Sequence, residues 1–256
     1  MSVESREPYE YRALFFDYME QGARRSARAI IPHVTRALGC TSVLDVGCGP
    51  AAWLAEYQRA GVEDVIGVDG DYVNRDRLLV SRDRFRSLDV SQSFDLGRRF
   101  ELVQSLEVAE HLSPQSSGTF VRNLVAHGDR ILFSAAVPGQ GGENHTNEQT
   151  PEFWRGLFAQ HGFVPFDFIR PLVAGSGDVE PWYAYNTLLY VHRASIDALP
   201  EEVRTARVLE KDRIPAVAPL SYRIRCALLK PLPVWLVSWL AVLKHRLVVA
   251  RRGQRS

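Results

Sequence analysis

Cysteine is scarce in this 256-residue sequence, and the three that occur, Cys40, Cys48 and Cys226, form no C-x-x-C pair. An odd number at scattered positions suggests neither a disulfide framework nor a thiolate zinc site, and it fits a reducing cytoplasm. The N-terminal segment MSVESREPYEYRALFF carries charges where a signal peptide needs an unbroken apolar core. Secretion is therefore not expected.

Acidic residues are absent from Arg213 to the C-terminus, a segment that contains nine Lys or Arg. Because the net charge of the whole chain is +1, residues 1–212 carry −8. An acidic body does not suit a surface that follows nucleic-acid phosphates, so no nucleic-acid partner is expected. The basic C-terminal segment is interpreted as a separate element.

Long apolar runs are also absent. Within residues 228–250, LLKPLPVWLVSWLAVLKHRLVVA, Pro231 and Pro233 leave a most apolar part of only about ten residues, half of what a membrane crossing needs. Trp235 and Trp239 favour a helix lying on anionic lipid, while a helix packing on the body or on a second subunit fits equally. The flanking basic residues are Arg223, Arg225, Lys244, Arg246, Arg251 and Arg252.

Strand-like and helical patterns alternate through the body of the chain. The segments TSVLDVGCG, DVIGVDGD, DRFRSLDVS, RFELVQSLEV and DRILFSAAVPG predict five strands, with the helix AAWLAEYQRAG after the first. This alternation predicts parallel βαβ units with helices on both faces of the sheet. The later segments FVPFDFIRP and NTLLYVHR predict a hairpin with one antiparallel strand at the sheet edge.

The expected fold class is therefore α/β, with a doubly wound, mostly parallel seven-stranded sheet whose last strand is antiparallel. Residues 1–38 are expected to form a helical cap of one or two helices with a break near Pro32. Residues 39–195 are expected to form the cofactor-binding domain, and residues 196–256 a basic helical tail.

A glycine turn follows the first predicted strand. Gly47 and Gly49 allow a sharp turn and close approach of a ligand, and the next helix presents free amides there. Asp69 lies 22 residues after Gly47, at the end of the second strand, where a carboxylate can accept both ribose hydroxyls. Since Gly47-x-Gly49-x-x-Ala52 also satisfies the relaxed dinucleotide fingerprint, NAD, another nucleoside ligand or a turn without a ligand remain open.

In order and spacing, VLDVGCGPA, VIGVDGD, SLDVS and FELVQSLEVAEHL resemble the motifs of class I S-adenosylmethionine-dependent methyltransferases, over roughly residues 35–193. The resemblance implies that S-adenosylmethionine is the cofactor. Its methionine part would lie by Asp45, Gly47 and Gly49, its ribose by Asp69 and its adenine by Asp89. The complete implied set is Asp45, Gly47, Cys48, Gly49, Asp69, Gly70, Asp89, Val90, Ser105, Leu106 and Glu107. Ala51 replaces the usual third glycine, and a degraded, non-catalytic site remains an alternative.

The segment SLEVAEHL places Glu107, Glu110 and His111 just after the fourth strand. If the segment is helical, these three side chains share one face and could bind a divalent metal, with His145 from a later loop as a fourth ligand. The E-x-x-E-H pattern resembles two groups of metal-dependent O-methyltransferases, acting on ubiquinone precursors and on the terminal ribose of small RNAs. His145 matches only the second group. Many metal-free methyltransferases carry the same pattern, so both interpretations stay open.

Methyl transfer requires an aligned nucleophile and removal of its proton. His145 is the candidate general base, and His111 and Glu107 are further catalytic candidates. Two sets of residues could surround the substrate. A polar set could orient a polyol, and an aromatic set could cover the site. The polar set is Glu143, Asn144, Asn147 and Glu148. The mainly aromatic set is Trp182, Tyr183, Tyr185 and the adjacent Asn186, with Tyr9, Tyr11, Phe15 and Phe16.

The sequence is also similar to bacterial methyltransferases of polysaccharide and natural-product pathways. Together these resemblances imply O-methylation of a sugar, a glycolipid precursor or a secondary metabolite. Metal-dependent methylation of vicinal hydroxyls is the alternative within the class, and an NAD enzyme or a non-catalytic binding protein is the alternative outside it. A cytoplasmic location is expected, with contact to the inner membrane face left open.

Overall fold

The computed structural model describes the backbone of residues 7–253 and the side chains of residues 20–243. The first helix, α1 (Glu7–Leu38), continues through Pro32, so the predicted break is wrong. Ala27, Ile30 and Val34 bury one stripe of α1 in the core, and this packing holds the helix together across the proline. From Ala27 onward the helix thus packs on the body of the protein.

Seven strands form one sheet: β1 (Ser42–Val46), β2 (Asp64–Asp69), β3 (Phe85–Ser87), β4 (Leu102–Leu106), β5 (Arg130–Ser134), β6 (Phe163–Phe166) and β7 (Leu188–His192). Their order is β3-β2-β1-β4-β5-β7-β6. The first five strands are parallel and β7 runs antiparallel to both of its neighbours, which confirms the predicted fold class. The antiparallel strand is not at the edge, however, because β7 lies between β5 and β6.

The remaining helices are α2 (Ala52–Arg59), α3 (Ser117–His127), α4 (Pro151–Ala159), α5 (Ile169–Val173), α6 (Pro181–Asn186), α7 (Glu201–Arg204), α8 (Leu220–Leu229) and α9 (Val234–Gly253). The predicted antiparallel pairing of β6 with β7 is confirmed, but α5 and α6 lie between the two strands where only a loop was expected. Apolar side chains of α1, α2, α5 and α6 cover one face of the sheet, and those of α3 and α4 cover the other. Strand β1 is accordingly buried at all five positions.

The C-terminal helices α8 and α9 pack on the loop that follows β5. Arg225 donates to the Gln140 carbonyl oxygen at 2.7 Å, and the Ser238 hydroxyl lies 3.5 Å from the Gly142 carbonyl oxygen. A short non-helical segment that contains Pro231 and Pro233 separates the two helices. No helix in the described part of the chain combines the length and apolar character needed to cross a membrane.

Candidate functional site

The glycine turn at the carboxyl end of β1 has the backbone that its sequence predicts. Gly47 has φ +83°, and a Cβ there would lie 2.4 Å from the Val108 side chain, so only glycine fits. Gly49 has φ +53°, and no described heavy atom lies within 4 Å of the position that its Cβ would take. Ala51 takes up a left-handed φ of 64° at the start of α2. The turn is therefore closed on the Val108 side at Gly47 and open at Gly49.

Two buried carboxylates lie beside this turn. Asp69 accepts hydrogen bonds from the N–H groups of Gly49 and Gly70, both at 2.7 Å, and from the Tyr72 hydroxyl. Asp45 is 3% exposed, and its burial, together with the nearby charge of Asp69, raises its pKa to about 7. The two carboxylates therefore lie close to each other at the carboxyl ends of β1 and β2, beside the glycine turn.

The other predicted cofactor residues divide into surface and buried positions. Asp89 is exposed in a turn, where its carboxylate accepts a hydrogen bond from the Ser91 N–H at 2.9 Å. The N–H of the preceding Leu88 donates to the Asp69 carbonyl oxygen. Val90 belongs to the core, and the Cys48 thiol packs toward Gly67. Only the backbone groups of these two residues are therefore available to contact a ligand. Ser105 donates to the Val46 carbonyl oxygen at 2.7 Å. Leu106, at the end of β4, is buried.

Glu107 does not begin a helix. Its φ is +56°, and its N–H donates to both oxygens of Ser134, at 3.0 Å to the carbonyl and 3.1 Å to the hydroxyl. Gln140 donates to Oε2 of Glu107 at 2.7 Å, and Asn186 donates to Oε1 at 3.2 Å. Burial raises the pKa of Glu107, although these amide hydrogen bonds oppose the rise. The i, i+3, i+4 helical face predicted for this segment is therefore wrong.

Glu110 lies in a 3-10 turn, Ala109–His111, and is fully buried. By distance and angle, neither carboxylate oxygen of Glu110 makes a hydrogen bond among the described residues, although the Ala136 backbone and the Glu107 carboxyl group lie close enough to affect its pKa. Burial and the charge of Glu107 raise the pKa of Glu110 well above its usual range. A buried carboxyl group without a partner needs a proton or a cation, because an isolated charge there is costly.

His111 and His145 come together although 34 residues separate them. Their ring centroids lie 4.8 Å apart in an edge-to-face arrangement. One ligand atom from each of Glu110, His111 and His145 lies within 4.8 Å of the others, so these three form the group that could hold a metal. Glu107 is outside that group. Desolvation and the neighbouring His145 lower the pKa of His111 to about 4.

Glu148 organises the loop that carries His145. Its Oε1 lies 3.0 Å from His145 Nδ1 and accepts from the Gly141 N–H at 2.8 Å, while its Oε2 accepts from the Gly139 N–H at 2.6 Å. These bonds outweigh the effect of burial and lower the pKa of Glu148. Asn147, predicted as a substrate contact, is buried and donates to the Ala109 carbonyl oxygen instead.

The predicted aromatic cover is partly core. Tyr183 is buried and packs edge-to-face on Trp53, while Trp182 and Tyr185 are half-buried at its sides. The four aromatic residues predicted near the N-terminus, Tyr9, Tyr11, Phe15 and Phe16, lie outside the residues whose side chains the structure describes.

Sequence reasoning missed two residues near Glu107, Gln140 and Tyr222, and it assigned Asn186 to the cover of the site rather than to Glu107. Gln140 and Asn186 hold its carboxylate, and Tyr222 of α8 packs on Tyr185 at a centroid distance of 5.0 Å. The Tyr222 hydroxyl is buried and without a partner among the described residues. The only local signal was the loop PGQGG, in which Gln140 is the single polar side chain among glycines.

The strand order and the glycine turn with its acidic partner define the class I methyltransferase fold. Residues 11–166 match the family model of the methyltransferase domain. This is more than half of the chain, and the protein belongs to that family. A search of curated protein sequences found no match.

Solved structures with the same fold share little sequence. Magnesium protoporphyrin IX methyltransferase (ChlM) from Synechocystis, with bound S-adenosylhomocysteine, is 16% identical with a TM-score of 0.50, covering 73% of this chain and 95% of that one. DesVI from Streptomyces venezuelae is 15% identical with a TM-score of 0.49, covering 75% and 100%. The sugar N-methyltransferase KedS8 from Streptoalloteichus is 16% identical with a TM-score of 0.48, covering 68% and 87%. At these identities the likeness shows the fold alone.

Membership of the methyltransferase family makes S-adenosylmethionine the methyl donor, which decides against the NAD alternative. The described residues fit this donor, since the space above Gly49 is open and the carboxylates of Asp45 and Asp69 lie beside it.

Proposed function

We propose that this protein transfers the methyl group to a hydroxyl of a small molecule, such as a sugar, a glycolipid precursor or a secondary metabolite. The contact between His145 Nδ1 and Glu148 Oε1, at 3.0 Å, carries the proposal. It places a fixed imidazole on the loop that follows β5, next to the segment that follows β4. A hydroxyl is a weak nucleophile until its proton is removed, and a fixed base at this edge supplies that step.

The donor would occupy the glycine turn. Asp45, Gly47 and Gly49 would surround its methionine part, Asp69 its ribose hydroxyls and Asp89 the adenine edge. The other contacts of this proposal are the backbones of Cys48, Gly70 and Val90, and the β4 end at Ser105, Leu106 and Glu107. When bound, the sulfonium supplies an activated methyl group with a good leaving group. The remaining task of the protein is to align the acceptor and to take up its proton.

His145 would take up that proton. When Nδ1 carries a hydrogen and donates it to Glu148, Nε2 has the free lone pair that accepts the hydroxyl proton. The Glu148 carboxylate then stabilises the imidazolium that forms, as a neighbouring acid does for a catalytic histidine. The three bonds that Glu148 accepts keep the loop and the ring in one orientation.

The acceptor would lie between this loop and the C-terminal helices. A cavity of about 140 Å³ is present there, lined by His145, Glu148 and glycines on one side and by Leu229 and Val237 on the other. Its size suits part of a small molecule, and its two walls suit a substrate with polar and apolar sides.

Label transfer from S-adenosylmethionine with a labelled methyl group tests the proposal on a panel of sugars and phenols, each paired with the analogue lacking the hydroxyl. We expect methyl ether formation that His145→Asn lowers by about two to four orders of magnitude. Full activity of this variant, or transfer to amines alone, would contradict it. Calorimetric binding of S-adenosylhomocysteine to the variant separates loss of chemistry from loss of the fold.

A second candidate function is metal-dependent methylation of vicinal hydroxyls, and the buried Glu110 carboxylate without a partner favours it. Glu110, His111 and His145 would supply one oxygen and two nitrogen ligands, a set that suits borderline divalent ions. A bound ion would act as a Lewis acid that lowers the pKa of the substrate hydroxyls. In this case His145 would be a ligand rather than the base.

Metal analysis separates the two candidates. If the site holds a metal, elemental analysis finds it, chelation removes activity, and Mn²⁺ raises the melting temperature of the wild type but not of His111→Asn. Full activity in excess chelator, with no metal-dependent rise in melting temperature, would exclude the metal site and support His145 as a general base without a metal. His33→Asn, at a half-buried position on α1, is the matched control for the histidine change.

A further inference from the structure

Exposed apolar side chains concentrate on the C-terminal helices. Of the twelve large hydrophobic residues that are exposed among the described side chains, seven lie on α8 and α9. Trp235 is 71% exposed, Leu228 69% and Trp239 57%. The seven residues, called here the apolar stripe, are Leu220, Ile224, Leu228, Val234, Trp235, Trp239 and Leu243.

The spacing of these residues places them on one face of each helix. Leu220, Ile224 and Leu228 follow at every fourth position along α8, and Trp235, Trp239 and Leu243 do the same along α9. Residues four apart share one side of a helix. An exposed apolar face of this kind marks an interaction site.

The opposite side of the same helices is attached to the body. Cys226 is buried against the loop, with its carbonyl next to Gly139, and Val237 lies next to Gly141. Arg225 and Ser238 add the polar contacts to this loop. The helices are thus held in place while the apolar stripe points away from the contact.

The charge of the segment identifies the partner. Residues 213–256 contain nine Lys or Arg and no acid, and Arg223 and Lys230 are exposed close to the apolar stripe. A two-fold contact between copies would bring two such cationic elements together with no acid in either. Nucleic acid would attract the cations but leave the tryptophans and leucines in water. Anionic lipid suits both the cationic and the apolar side chains, since tryptophans lie at headgroup depth and cations face the lipid phosphates.

We propose that the apolar stripe of α8 and α9 binds the protein to an anionic membrane surface. The helices would lie in the plane of the interface, with the apolar stripe in the headgroup region. This docking is independent of the methyl acceptor, and it would bring the cavity beneath these helices close to the lipid.

Co-sedimentation of the full chain with vesicles tests the proposal. We expect partition onto vesicles of phosphatidylcholine with phosphatidylglycerol to exceed that onto phosphatidylcholine alone by about tenfold or more, and to weaken in high salt. The double variant Trp235→Gln/Trp239→Gln should lose about tenfold or more of this partition. The control Leu172→Gln/Leu209→Gln, at positions 44% and 46% exposed on the body, should bind as the wild type does.

Fluorescence quenching by brominated lipid gives a second measurement, because only tryptophans in the headgroup region are quenched. Quenching that the double variant abolishes supports the proposal. Equal pelleting of the wild type and the tryptophan variant would overturn it, as would equal binding to neutral vesicles. A wild-type dimer that the tryptophan substitutions dissociate, without vesicle binding, would instead assign the stripe to self-association. Circular dichroism of the variants checks that both keep the native fold.

Discussion

His145 Nδ1 lies 3.0 Å from Glu148 Oε1, and the same carboxylate accepts the N–H groups of Gly139 and Gly141. One half-buried acid therefore sets the conformation of the loop and the orientation of the candidate base. A residue with this role acts through its neighbour and does not need to touch the substrate.

Glu148→Gln should lower kcat by about tenfold to a hundredfold, because an amide group offers one acceptor oxygen where the carboxylate offers two. We expect a displaced pH profile of kcat with little change in S-adenosylhomocysteine affinity. Steady-state kinetics across pH and calorimetry check this result. Glu143→Gln changes an exposed acid of the same loop and should leave both quantities unchanged. Parallel losses of kcat and cofactor affinity would mean that Glu148 serves only folding.

Local sequence signals predicted the glycine turn and its acidic neighbour. The buried run of β1, the two glycines and Asp69 depend on neighbouring residues in one βα unit, and each takes the predicted place. The position of β7 between β5 and β6 depends on pairing between distant segments, for which the hydrophobic pattern gives no signal.

The acceptor half of the site was harder to predict. The sequence SLEVAEHL favours a helix. In the structure, hydrogen bonds from Glu107 N–H to Ser134 hold Glu107 in a left-handed conformation, so no α-helix begins at this residue. The closeness of His145 to His111 follows from loop geometry and not from spacing. Gln140 and Asn186 meet Glu107 for the same reason, so their role became visible only in the folded chain.

Asp45 should make cofactor binding depend on pH. Its pKa of about 7 in the folded protein, raised from 3.8 by burial, means that it is largely neutral in weakly acidic solution. Its contribution to stability is complete below the unfolded pKa and is lost as pH rises through about 7. Binding of the cationic methionine part should change in the opposite sense, because the ionised carboxylate attracts the ammonium group.

Calorimetry with S-adenosylhomocysteine should show affinity rising by up to about tenfold per pH unit below the pKa and reaching a plateau above it. Asp45→Asn should bind weakly at every pH and lose this dependence. Asp71→Asn, an exposed change near the glycine turn, should retain it. A flat profile for the wild type would show that Asp45 does not meet the ammonium group.

Glu56 should stabilise the contact between α1 and α2. Its carboxylate is 4% exposed and meets Arg24 at 3.3 Å, Arg28 at 3.2 Å and Arg59 at 2.8 Å. Burial opposes ionisation, yet the hydrogen bonds from Arg28 and Arg24 outweigh it and lower the pKa of Glu56. This stability is present above the unfolded pKa of 4.5 and is lost as pH falls through the lower folded value.

Glu56→Gln should cost about 1–3 kcal/mol in the free energy of unfolding at neutral pH, less than for a fully buried pair because the arginines are partly exposed. Urea unfolding measures this free energy, and the difference in unfolding free energy between the variant and the wild type should become smaller in acid. Glu63→Gln, an exposed change near the end of α2, should cost little. A constant difference down to low pH would exclude the ionic explanation.

Glu110 should destabilise the metal-free protein at high pH. Burial and Glu107 raise its pKa, so its contribution to stability is complete below the unfolded value of 4.5 and is lost as pH rises. In the presence of chelator, Glu110→Gln should therefore raise the melting temperature by about 2–6 °C at alkaline pH and change it little in acid. Differential scanning calorimetry across pH checks the sign. A variant less stable than the wild type in chelator would show that the carboxylate has a partner.

Gly139 should control the attachment of the C-terminal helices. It has φ +82°, and a Cβ there would lie 2.0 Å from the Cys226 carbonyl oxygen, which belongs to the backbone of α8 and cannot turn aside. Gly139→Ala should therefore displace α8 from the loop, weaken methyl transfer and speed tryptic cleavage after Arg223 and Arg225. Gly175→Ala is the matched control, since Gly175 has φ +75° with no described atom within 4 Å of the place that an added methyl group would take.

The control should show only the backbone penalty of about 1–2 kcal/mol for a left-handed alanine, with unchanged cleavage of α8. Because both substitutions carry that penalty, any excess in Gly139→Ala measures the collision with Cys226. Equal stability losses and equal cleavage rates in the two variants would mean that α8 does not depend on this contact. A selective release of α8 together with intact S-adenosylhomocysteine binding would place the C-terminal helices on the acceptor side of the site.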